Sequence, residues 1–114
     1  MRTFALGDVL ASRTLQFQPG DGPATEVVVK VGKPVPDLEN ADRAWICPFQ
    51  IRGIRDEPVR RIFGVDALQA LVLALHALPT VLRSIAREES GSFPNGDEDL
   101  GLTAACKMNL GADD

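Results

Sequence analysis

Residues 67–82 are apolar except at Gln69, His76, Pro79 and Thr80. A bilayer span needs roughly 20 predominantly apolar residues, so this shorter run predicts the core helix of a soluble domain. Asp66 precedes the run and Gln69 follows three residues later, the pattern of an N-cap and its capping box. The helix is expected over residues 67–87, with Pro79 removing one backbone bond and kinking or dividing it. At roughly 1.5 Å per residue it spans about 30 Å, the length of a strand of nine or ten residues.

Four segments before it read as strands. In residues 9–18, Leu15 and Phe17 share one side while Ser12, Thr14, Gln16 and Gln18 share the other. Arg13 falls on the apolar side, where it either snorkels out at the sheet edge or is a buried, paired charge. The Pro19, Gly20, Asp21, Gly22, Pro23 run closes a hairpin with residues 24–32, in which Val27, Val29 and Val31 line one face. Residues 33–43 read as a loop. In residues 44–54, Trp45, Cys47, Phe49 and Ile51 share a face, and Pro48 marks a sheet edge, a bulge or a strand boundary. Residues 59–63 form a short fourth strand of undetermined facing. The expected fold is therefore α+β and two-layered, an antiparallel sheet of about four strands packed against one long helix. Residues 1–90 make the single domain core. Residues 91–114 make an acidic, partly ordered C-terminal segment with a short helix or strand at 102–110.

Two apolar runs occupy the helix. Leu68, Leu71, Leu75, Leu78, Leu82 and Ile85 recur at spacings of three and four and are assigned to the sheet. Ala70, Leu73, Ala74, Ala77 and Val81 make a second stripe, left to face a partner. Two covers are open to it: this chain's own residues 102–110, or a second subunit, most simply a two-fold mate since that geometry closes; the second is slightly favoured because the tail is short and flanked by glycine and acid. Gln69, His76, Thr80, Arg83 and Arg87 make the polar strip.

Charge divides the chain. Residues 1–87 hold 11 basic and 9 acidic side chains, whereas residues 88–114 set Lys107 against seven carboxylates. The overall net charge of −4 argues against a general nucleic-acid binder. Arg52, Arg55, Arg60 and Arg61 nevertheless cluster between the third and fourth strands, a candidate patch for anions or a partner, partly neutralised by Asp56 and Glu57. Opposite charge predicts that the acidic C-terminal segment lies near this turn.

One histidine, no tyrosine and two cysteines leave few catalytic groups. Cys47, between two aromatic residues, reads as a small buried hydrophobe. His76 has no nucleophile beside it, and nothing in the spacing of His76, Cys47 and Cys106 makes a zinc site. No catalytic, cofactor-binding or metal-ligating residues are assigned, and Asp66 and Gln69 are read as structural caps. The N-terminus lacks the long apolar run of an export signal, so the thiols are expected to be reduced in a cytoplasm.

The stretches Trp45, Ile46, Cys47, Pro48, Phe49, Gln50, Ile51, Arg52, Gly53 and Gly64, Val65, Asp66, Ala67, Leu68, Gln69, Ala70, Leu71 resemble a family of small bacterial proteins known only as a domain of unknown function. Arg13, Thr14, Leu15 and Asp99, Leu100, Gly101 resemble its terminal signatures. The resemblance implies a compact bacterial cytoplasmic protein and no reaction. The expected function is a non-catalytic protein–protein interaction module, with a protein partner or a second copy of itself and no membrane. The alternatives are a small-ligand binder or enzyme with a pocket between sheet and helix, and a nucleic-acid contact through the turn at 52–61.

Overall fold

Alternating apolar and polar residues become strands here because each strand has one covered face. The computed structural model describes residues 4–39 and 44–94. In chain order these form β1 (Val9–Phe17), β2 (Thr25–Gly32), β3 (Val35–Pro36), β4 (Trp45–Arg52), β5 (Arg60–Gly64) and α1 (Ala67–Glu88). The sheet is antiparallel throughout, ordered β1-β2-β4-β3 with β5 on β4. One helix lies on it, the two-layer α+β arrangement that the sequence predicts.

The helix-facing sides are those read from the alternation. Phe17, Val27, Val29, Val31, Cys47, Phe49 and Ile51 are buried against α1, with Leu15 and Trp45 half-buried beside them. At about 1.5–3 kcal/mol for each large apolar side chain removed from water, this layer is the main source of stability. Arg13 is exposed on β1, the snorkelling alternative. The fourth strand's facing follows from its pairing with β4. Ile62 lies opposite Cys47 and faces the helix, whereas Arg61 and Phe63 lie opposite Pro48 and Ile46 on the other face.

Two features depart from the sequence reading. Val35 and Pro36, read as loop, form β3, too short to show an alternation. Pro48 is at neither an edge nor a boundary; it sits inside β4, a strand paired on both sides. Its place is the interruption where β2, paired to residues 49–52, gives way to β3, paired to Trp45 and Ile46. Gly32 permits that join, since a Cβ there would meet the Pro48 ring at 2.8 Å.

Asp66 caps α1 as predicted, its carboxylate accepting from the Gln69 N–H at 2.7 Å. The Gln69 side-chain oxygen in turn accepts from the Val65 N–H at 2.8 Å, one residue before the cap. Asp66→Ala should lower stability by about 1 kcal/mol, and Asp66→Asn should restore most of it. Urea unfolding of the two variants checks this. Pro79 neither ends nor divides the helix, which continues unbroken to Glu88.

The helix is rotated from the expected setting. Its buried residues are Ala70, Ala74, Leu78, Pro79, Leu82, Ile85 and Ala86. Ala70 and Ala74 therefore belong to the core, not to an outer stripe, and Leu68, assigned to the sheet, is 70% exposed. At about 100° per residue Ala74 lies only about 40° from Leu78, so the supposed second stripe overlaps the first. Small size selects these alanines: a Cβ on Gly64 would meet the Ala70 nitrogen at 2.5 Å, so strand and helix backbones nearly touch there.

Beyond the helix, residues 91–93 return to the sheet. The backbones of Gln18 and Ser92 exchange hydrogen bonds of 2.8 and 2.9 Å, and Phe93 packs edge-on to Phe17. The packed domain thus runs a little past residue 90. The expected element at 102–110 and the acidic residues Asp97, Glu98 and Asp99 lie outside the described residues.

Candidate functional site

Two surfaces hold the residues singled out from the sequence. The first is the turn between β4 and β5. Glu57 is buried, its carboxylate held by Arg55 Nε at 2.6 Å and by Arg60 at 2.9 Å. Arg55 also reaches the end of α1, with Nη1 2.8 Å from Glu88 and 3.1 Å from Glu89. Burial by itself pushes the Glu57 carboxyl up; the hydrogen bonds and charges of Arg55 and Arg60 together outweigh it and hold it below its ordinary value. Arg55 is pushed up by its hydrogen bonds to Glu57, Glu89 and Glu88, which outweigh its own desolvation.

The four-arginine patch is therefore split. Arg55 and Arg60 serve Glu57. Arg61 lies on the other face with its guanidinium 3.5 Å from the centre of the Phe4 ring and 5.2 Å from that of Phe63. Arg52 is exposed beside Gln50. The sequence placed Glu57 in the turn as a partial neutraliser. Its burial depends on the approach of the helix end, which no local spacing reveals. Glu88 and Glu89, at the end of α1, reach the arginine turn through Arg55, whereas the carboxylates on which the expected docking of the C-terminal segment turns, Asp97, Glu98 and Asp99, lie outside the described residues.

The second surface surrounds the start of α1. An open depression of about 320 Å³ is lined by Ala44, Phe63, Gly64, Val65 and Gln69. Val65 is 74% exposed, and Phe63 and Leu73 are also exposed. Leu73 is one helical turn beyond Gln69, so it extends the same rim. Of the residues proposed for an outer face, Leu73 remains open, Ala77 and Val81 are half-buried on the helix flank, and Ala70 and Ala74 are withdrawn into the core. β5 pairs with β4 alone among the described residues, so its outer edge adjoins this rim.

The remaining chemical candidates stay apart. Cys47 is buried, its thiol 3.5 Å from the Gly32 carbonyl, and burial pushes its pKa up, which keeps it neutral. His76 is exposed on the polar side of α1 with Gln69, Thr80 and Arg87. Among the described residues no three His, Cys, Asp or Glu side chains converge on a metal position.

A family model described as a domain of unknown function (DUF6968) matches residues 11–104, most of the chain, and the chain belongs to that family. No curated protein and no solved structure matches it.

Proposed function

We propose that this family member is a non-catalytic protein–protein interaction module, which meets a second copy of itself through the rim around the start of α1. The observation that carries the reading is the exposure of Phe63, Val65 and Leu73 beside the open edge of β5. Solvent rarely faces clustered large apolar side chains without a partner. A two-fold contact is the simplest cover, because the same patch serves both subunits and the assembly closes. The reading supposes a reducing cytoplasm, in keeping with the unpaired Cys47. By length and composition alone α1 could cross a membrane; its packing against the sheet supports a soluble role instead.

Light scattering across a concentration series tests this. The wild-type chain should reach the mass of a dimer, and Val65→Asp with Leu73→Asp should hold it at the monomer with the thermal transition unchanged. A wild type that stays monomeric at every concentration defeats the reading. The two alternatives draw less support. Arg55 and Arg60 are already engaged by Glu57, which weakens a nucleic-acid contact. The space between sheet and helix, about 150 Å³, is lined mainly by apolar groups and offers few polar groups to orient a substrate.

A further inference from the structure

The sheet order makes β5 an edge strand: among the described residues it pairs only with β4, which turns its other side to β2 and β3. The helix rests on β4 and β5 and runs back along β5. Gly64 meets Ala70 near the start of α1, and Arg55 in the turn before β5 meets Glu88 and Glu89 at its end. Leu75 and Leu78 look toward β1 and β2, where they line a groove with Ala11, Arg13 and Val31. Leu73 and Ala77 each stand about 160° from Leu75 at about 100° per residue, so they look the other way, over the outer edge of β5. Phe63, Val65 and Leu73 are exposed along this edge, and an edge strand flanked by apolar side chains is a template for another strand.

We propose that β5 pairs antiparallel with β5 of a second copy about a two-fold axis at Ile62, joining two five-stranded sheets into one with both helices on the same face. This rests on the self-association proposed above and specifies its geometry. Centring on Ile62 is the register that pairs all of Arg60–Gly64. It sets Arg61 opposite the partner's Phe63, both on the face away from the helix, and Arg60 opposite the partner's Gly64, so no arginine opposes another. Arg61 already lies 5.2 Å from the ring of its own Phe63, and the same chemistry suits the ring across the axis. Carried one residue further, the register brings the exposed Val65 to the partner's Val59. The helical layer fits too. Strands stand about 4.8 Å apart, so helices centred between β4 and β5 of each copy lie about 10 Å apart, the distance at which helices pack. Ile62 is two residues from Gly64, about 7 Å, which corresponds to about four to five helical residues beyond Ala70. Leu73 and Ala77 bracket that level and meet their counterparts, and the small Ala77 permits the approach.

Hydrogen exchange and oxidation of the full chain test the pairing. At concentrations where light scattering gives a dimer, the outward amides of Arg60–Gly64 should exchange at least about tenfold more slowly than in the dilute monomer. In a Cys106→Ser background, Ile62→Cys should form a disulfide between copies about tenfold faster than Val65→Cys. Ile62 meets its own counterpart at the axis, whereas the two Val65 residues lie about 20 Å apart, beyond the reach of a disulfide. Cys47 is buried and does not compete. A dimer whose β5 amides exchange as in the monomer, or in which Val65→Cys is the faster, overturns the strand pairing and leaves the rim contact standing. A chain that stays monomeric at every concentration overturns both. Unchanged melting curves show that the cysteine variants keep the fold, and the exchange measurement needs no substitution.

Discussion

Ala70→Leu should destabilise the chain by about 3 kcal/mol, a larger loss than most single substitutions on an apolar helix produce. Ala70 is fully buried, and its backbone nitrogen and Cα lie 2.5 and 2.8 Å from where a Gly64 Cβ would stand. A leucine there adds three heavy atoms to a side chain with no exposed surface, in a packed core and beside the close approach of strand and helix backbones. The helix would have to lift from β5, opening the contacts of Ala74 and Leu78 as well. Leu73→Asp, three residues on, should change stability by no more than about 0.5 kcal/mol, since Leu73 is exposed. Urea unfolding of both variants measures the contrast. If Leu73→Asp were the more damaging, the helix would be set on the sheet by the other side, with Ala70 outward.

That contrast also marks the boundary of what the sequence discloses. The strand faces are legible because alternation has a period of two and an error of one residue would bury Ser12 and Lys30. Asp66 is legible because a cap is a local hydrogen bond. The rotation of α1 is not, because leucine and alanine are both apolar and their stripes overlap on the wheel. What decides it is size at a close approach: Gly64 on the strand and Ala70 on the helix allow contact that Leu68 would prevent. The rim proposed for a dimer is not legible for the same reason, since only Leu73 of the five residues first assigned to an outer stripe stays exposed. Phe63 and Val65 flank Gly64 and are exposed beside that close approach.

Glu57→Ala should cost about 2 kcal/mol at neutral pH, because it removes the shared acceptor of two guanidiniums from a buried position. The loss stays below that of a fully buried pair, since Arg55 and Arg60 keep 31% and 41% of their side-chain surface in water. Glu88→Ala, at an exposed contact of the same Arg55, should cost no more than about 0.5 kcal/mol. Acid separates charge from packing. The folded chain holds the Glu57 carboxyl below its unfolded value, so the ionised form is worth more folded than unfolded. Its contribution is complete above the ordinary carboxylate range near about pH 4 and is lost as pH falls through the lower, folded value. The difference in unfolding free energy between wild type and Glu57→Gln should therefore be widest near neutrality and shrink below about pH 4. A difference that stays constant from neutral to strongly acidic solution would mean that the side chain's shape, and not its charge, ties the β4–β5 turn to the end of α1.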